Sequence, residues 1–205
     1  MDINILNKIA VKMVADSKGI LAIDESHGTC KKRFDALNIN VTEENRRSYR
    51  DMLISANSLS DYISGVILFD ETIRQKTSDG STFPDYLNKV GIIPGIKVDA
   101  GAKPFSCHPG EKITEGLDGL TERMKEYSAL GAKFAKWRAV ISIGESMPSN
   151  ACMLANSHAL ARYASICQEI NIVPIVEPEV LMDGSHNIKQ CFEVTNTMQS
   201  ILFEA

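Results

Sequence analysis

IVPIVEPE, residues 172–179, is built from isoleucine, valine and proline, carries two carboxylates and shows little alternation between polar and apolar positions. A strand covered on both faces reads this way, and such strands belong to parallel sheets flanked by helices. Four runs of the same kind precede it: GILAID (19–24), SGVILFD (64–70), IIPGIKVD (92–99) and AKFAKWRAVISI (132–143). Helical patterns lie between them. Thr42 ahead of Glu43 and Glu44 reads as an N-cap with acid in the first turn, opening a helix towards Asn57 whose apolar face carries Tyr49, Met52, Leu53 and Ala56.

Residues 115–130 place Leu117, Leu120, Met124, Tyr127 and Leu130 at helical spacing, and Ser149 caps a helix through Leu154, Leu160, Tyr163 and Ile166. Pro84 opens a shorter helix. A last helix spans 187–205 after the turn Asp183-Gly184-Ser185-His186, with Ile201, Leu202 and Phe203 seeking a surface to cover. Strand and helix alternating about every 40 residues indicate parallel βα units, in either a doubly wound sheet or a (β/α)8 barrel. A dinucleotide-binding sheet needs a glycine-rich turn after its first strand, yet Asp24 is followed by Glu25, Ser26, His27, Gly28 and Thr29. No GxxxxGK[ST] loop occurs either.

The 205 residues suit a single domain, 1–205, and with 44% hydrophobic and 23% charged residues they can bury a core. Lys and Arg number 22 against 26 Asp and Glu, so the net charge of −4 gives no electrostatic grip on nucleic acid. No apolar stretch is long enough for a membrane span, and residues 1–12 lack a signal-type apolar centre, so neither nucleic acid nor membrane is an expected partner and a cytoplasmic location is expected. The five cysteines are odd in number and never form CxxC, which fits a reducing compartment. The histidines at 27, 108, 158 and 186 have no spacing that brings two imidazoles to one metal, so no metal site is expected.

Seven ionisable residues lie inside or at the end of the apolar runs: Asp24, Lys97, Asp99, Lys136, Arg138, Glu177 and Glu179. A desolvated charge costs several kcal/mol unless it is paired. In a parallel βα architecture the carboxyl ends of the strands share one rim, so Asp24, Lys97, Lys136 and Glu177 are expected to converge there and neutralise one another. Groups sharing a water-poor pocket shift one another's pKa values, which favours a catalytic role for the set.

The strings GILAIDES (19–26), ENRRSYR (44–50), GVILFDET (65–72), PGIKVDAG (94–101), GLDGL (116–120), FAKWR (134–138), LARYASICQ (160–168) and IVPIVEPE (172–179) resemble, in this order, class I fructose-bisphosphate aldolase. The resemblance implies a (β/α)8 barrel that cleaves fructose 1,6-bisphosphate reversibly into dihydroxyacetone phosphate and glyceraldehyde 3-phosphate through a lysine Schiff base, with no metal or other cofactor. It implies that Asp24 assists carbinolamine and proton-transfer steps, that Lys136 supplies positive charge beside the reacting oxygens, that Glu177 is the general acid and base, and that Glu179 orients the site. Ser26, Thr29 and Lys97 match positions that bind the phosphate distal to the ketone. Thr29 stands where many members carry serine, with the hydroxyl preserved. Lys32, Arg33, Arg46 and Arg138 match cations that line or approach the bisphosphate pocket.

The family's Schiff-base lysine lies on a sixth strand, in a string like GTLLKPN, and no string here resembles it. The chain therefore reads as about five βα units of such a barrel, truncated or incompletely represented, with two sheet edges and an apolar helix face expected to be exposed. The family association implies sugar-phosphate partners and a homo-oligomer, the family tetramer, when the chain is complete. A second reading is a non-catalytic partial barrel that binds sugar phosphates or assembles with a partner chain.

Overall fold

A computed structural model describes residues 1–205. The elements run in the order α1 (Ile3–Met13), β1 (Gly19–Ala22), α2 (His27–Asp35), α3 (Glu43–Ile54), α4 (Leu59–Tyr62), β2 (Ile63–Leu68), α5 (Asp70–Ile73), α6 (Phe83–Lys89) and β3 (Ile93–Lys97). They continue with β4 (Ala102–Pro104), β5 (Lys112–Thr114), α7 (Leu120–Ala129), β6 (Phe134–Ile141), α8 (Asn150–Glu169), β7 (Val173–Val180) and α9 (Ile188–Glu204). All five expected strands are present. No helix is long and apolar enough to cross a membrane.

The main sheet is parallel throughout, in the order β1-β2-β3-β6-β7. Strand order follows chain order without a reversal, so the sheet has no switch point of the doubly wound kind and is wound in one direction, as barrels are. It is an open arc of five strands that curls into a half-barrel. The pair β4 and β5 forms a separate antiparallel hairpin inserted between β3 and β6. That hairpin and the helices α1 and α2 are additions to the pattern expected from sequence.

Alternate residues of each strand face opposite sides. On the outer face Ile23, Val66, Leu68, Ile96, Ala135, Trp137 and Ala139 pack against the helices in one core of 23 buried residues. On the inner face Phe134 is fully buried with Met13, Ile67 and Ile93, beneath α1. Helix α1 touches both β2 and β7, which are separated by two intervening strands, so the sheet wraps around it. Gly95 is the register partner of Phe134, and a methyl group added there would overlap the ring; one at Gly65 would approach it to 3.0 Å. The two glycines therefore make the space that one phenylalanine fills.

Several helix ends follow the expected chemistry. Thr42 and Ser149 accept the Asn45 and Cys152 N–H groups at 3.1 Å each, Thr82 caps α6 with Pro84 in its first turn, and Asn187 forms a capping box with Gln190. Two expectations need correction. The buried residues of α3 are Arg50, Asp51 and Ile54, while Met52 is 62% exposed and Ala56 lies beyond the helix. Helix α7 begins only at Leu120, because Gly116 and Gly119 adopt left-handed φ values of 129° and 63° and turn the chain before it. In α9, Leu202 is buried whereas Phe203 is exposed.

Strand β7 forms one edge of the sheet and contains Pro174 and Pro178. The Val173 and Leu181 N–H groups donate to Lys133 and Ile141 of the β6 side, so odd-numbered residues face β6 and the two prolines fall at positions whose N–H would face the open edge.

Gly95→Ala is expected to destabilise the chain by about 1–3 kcal/mol through overpacking against Phe134. Neither Gly95 nor Gly65 has a positive φ, so the effect is steric. Urea unfolding measures it; Gly65→Ala should cost less, and Phe134→Leu added to Gly95→Ala should restore part of the loss.

Candidate active site

Lys136 projects from the inner face of β6, above Phe134, and its ammonium lies 3.1 Å from Asp24 Oδ2 and 3.3 Å from Glu177 Oε2. Asp24 follows β1, and Glu177 sits on β7. In a flat sheet β1 and β6 would be roughly 14 Å apart, three strand spacings, so only the curl brings these groups together. The Asp24 contact is a hydrogen bond, whereas Glu177 stands within ion-pair distance without hydrogen-bond alignment.

Lys136 and Asp24 side chains are only 13% and 10% exposed, and Glu177 is 36% exposed. Burial opposes the charge on Lys136, but Asp24 and then Glu177 outweigh it and hold the ammonium above its ordinary pKa. Lys136 is therefore a fixed cation, and little free amine exists at neutral pH. Burial pushes the Glu177 carboxyl up; Lys136 counteracts this and Glu179 adds to it, so Glu177 binds a proton more readily than a free carboxylate. A fixed cation beside a raised carboxyl can stabilise developing negative charge while protonating a leaving oxygen.

Lys97 is the register partner of Lys136, which sets both on the inner face of adjacent strands. Its charge is met by Asp99, not by Asp24 or Glu177 as the convergence of four groups required: the ammonium pairs with Asp99 Oδ1 and donates to the Asp99 carbonyl at 3.1 Å. Asp99 also accepts the N–H groups of Gly101 at 3.0 Å and Arg138 at 3.3 Å, tying the chain beyond β3 to β6. Further along β6, Arg138 is ion-paired with Glu179 of β7, with both side chains about two-fifths exposed. Burial acts against the guanidinium, but the bond to Glu179 prevails and raises its pKa.

Ser26 caps α2. Its hydroxyl accepts the Thr29 N–H at 3.3 Å and lies 3.2 Å from the Thr29 hydroxyl, so the two hydroxyls among the three expected phosphate ligands meet at one helix N-terminus. Lys32 is exposed on the same helix. Arg33 pairs with Glu25 and donates to the Tyr49 hydroxyl at 3.1 Å, while Arg46 grips Glu71 through Nε and Nη2 at 2.9 and 2.6 Å. The carboxylates Glu25 and Glu71 are counter-ions that sequence reasoning missed. Each stood in a quoted string, after Asp24 and after the second strand, but partnership across the fold leaves no mark on spacing.

A model of the family "Glycolytic: Fructose-bisphosphate aldolase class-I" matches residues 5–205. The chain is 61% identical over all 205 residues to a probable fructose-bisphosphate aldolase class 1 of Xanthomonas axonopodis pv. citri, and 53% identical over 198 residues to fructose-bisphosphate aldolase 1 of Toxoplasma gondii. These alignments cover 100% and 96% of this chain but 61% and 54% of the relatives, so the chain spans about three fifths of the length of the curated proteins it matches. A solved Plasmodium falciparum fructose-bisphosphate aldolase, in complex with TRAP and a small-molecule inhibitor, superposes with a TM-score of 0.95 at 49% identity, over 98% of this chain and 58% of that one.

Two substitutions test the electrostatics. Asp24→Asn should lower the Lys136 pKa, read from its Nζ resonance in a ¹⁵N NMR titration, because it removes the stronger counter-ion. The raised Glu177 pKa means that the folded chain binds this proton more tightly than the unfolded chain, so stability falls as pH rises through the window above 4.5. Glu177→Gln should therefore melt above the wild type at pH 7, with the difference vanishing well below pH 4.5.

Proposed function

The chain belongs to the class-I fructose-bisphosphate aldolase family, and we propose on that footing that it supplies the acid-base and distal-phosphate parts of an enzyme that reversibly cleaves fructose 1,6-bisphosphate. The observation that carries this reading is the Lys136 ammonium held between Asp24 and Glu177 on the inner face of the half-barrel. Lys136, fixed as a cation, stabilises negative charge on the reacting oxygens. Glu177, with its raised pKa, donates and recovers the proton that accompanies carbinolamine dehydration. Asp24 assists proton transfer and maintains the charge of Lys136, and Glu179 orients the far side of the site through Arg138.

Ser26, Thr29 and Lys97 take the phosphate distal to the ketone, with hydroxyl donors and one ammonium, while Lys32, Arg33, Arg46 and Arg138 add positive potential along the approach. For Arg33 and Arg46 the incoming phosphate meets cations already paired with Glu25 and Glu71, so their part is to set the local field. The covalent step belongs to the Schiff-base lysine that the family likeness assigns to a sixth strand, which residues 1–205 do not contain. Residues 1–205 act as one unit. A cytoplasmic location is supported by an Arabidopsis thaliana relative named as cytosolic, 50% identical over 188 residues. Self-association is supported by apolar side chains left uncovered on and before α9, at Met182, Ile188, Phe192 and Phe203.

Isothermal titration with glyceraldehyde 3-phosphate tests the phosphate assignment: the wild-type chain should bind, and Lys97→Met should weaken binding about tenfold or more, the effect of losing a charge-assisted contact. Absence of wild-type binding would overturn the reading. Borohydride reduction with dihydroxyacetone phosphate should leave Lys136 unmodified by mass spectrometry, and an adduct there would refute its role as a permanent cation.

A further inference from the structure

Behind the phosphate-side residues lies a guanidinium that the assignments above do not use. Arg50 is fully buried on α3. Its Nη2 donates to the Glu25 backbone carbonyl at 2.7 Å, its Nη1 to Glu71 Oε1 at 3.3 Å, and its guanidinium carbon stands 5.5 Å from the centre of the Phe69 ring. Its Nε has no partner. Glu71 is shared: Arg46 grips it and the His27 ring nitrogen approaches it to 3.2 Å. Four segments thus meet at one charge cluster: the turn after β1, α2, α3 and the chain leaving β2.

A buried arginine with an unmet donor is an expensive way to fill space, since an apolar side chain of similar volume would avoid the desolvation cost. What the arginine provides is direction. Glu25 is the residue between Asp24 and Ser26, so its carbonyl marks the peptide joining the group that holds Lys136 to the hydroxyl that caps α2. A guanidinium bonded at once to that carbonyl and to a carboxylate on another segment removes the turn's freedom to rotate.

We propose that Arg50 is a positioning residue: with Glu71 it fixes the Glu25 peptide, and so aims Asp24 at Lys136 and Ser26 at the phosphate. The Ser26 half of this assignment rests on the proposed function; the Asp24 half does not. Removing the guanidinium lets the 24–26 turn relax, which loosens the Asp24–Lys136 pair and misplaces the cap hydroxyl, although Arg50 touches neither Lys136 nor ligand.

The test uses Arg50→Met and Glu71→Gln in the 205-residue chain, with two readouts: the Lys136 Nζ titration by ¹⁵N NMR and glyceraldehyde 3-phosphate affinity by isothermal titration. Arg50→Met should lower the Lys136 pKa and weaken binding about tenfold or more, the scale of one lost charge-assisted hydrogen bond. Glu71→Gln should shift both in the same direction by less. A folded Arg50→Met variant with wild-type titration and affinity would overturn the proposal. If that variant does not fold, Glu71→Gln decides, and an unchanged Lys136 titration there overturns it equally. If the wild-type chain binds no triose phosphate, the functional reading fails, while the Lys136 titration still judges Arg50.

Discussion

A single ammonium joins the two ends of this sheet. Asp24 follows the strand at one edge, Glu177 belongs to the strand at the other, and Lys136 touches both. That contact is possible only because the strands are parallel, wound in one sense and curled around α1. The same curl needs Phe134 seated against Gly65 and Gly95 one layer below. Packing at the base and charge pairing above it are therefore one constraint. Change the curvature, and the buried lysine loses a counter-ion and becomes costly.

The arrangement divides labour among like residues. Three inward cations each have their own carboxylate: Lys136 with Asp24 and Glu177, Lys97 with Asp99, and Arg138 with Glu179. Lys97 and Lys136 lie level with one another on adjacent strands and Arg138 lies two residues further along β6, so the inner face interleaves three cations with four carboxylates. Each of these cations is held by carboxylates of the chain itself, so the field over the inner face is fixed by the fold.

The strands and their inward charges were legible because burial on both faces suppresses polar residues, so a lysine or glutamate in such a run stands out. Thr42, Ser149 and Asn187 were legible because N-cap chemistry is local. Helix α2 was not, although Ser26 caps it, because its residues His27 to Asp35 are mostly polar and give no apolar stripe. Helix α1 does have an amphipathic pattern, with Leu6 and Met13 buried, but it precedes the first strand and so lies outside the βα alternation that marks the later helices. The face of α3 was misjudged for a different reason: Arg50 is buried by a carbonyl and a carboxylate from distant segments, and no helical periodicity predicts a buried arginine. The counter-ions Glu25 and Glu71 were hidden likewise: Arg33 and Glu25 stand eight residues apart on either side of the α2 cap, Arg46 reaches Glu71 across 25 residues, and both pairings depend on how the chain folds. Family resemblance identified the cations and could not supply their partners within the chain.

The two prolines of β7 give its outer margin a polarity in the hydrogen-bonding sense. At 174 and 178 that margin can only receive bonds through carbonyls, so any strand laid alongside must bring the donors at those places. An incoming segment in the wrong phase would leave its own carbonyls facing a ring carbon. The margin thereby discriminates among neighbours by register before any side chain is read, and it resists the indiscriminate stacking to which a uniform ladder is prone.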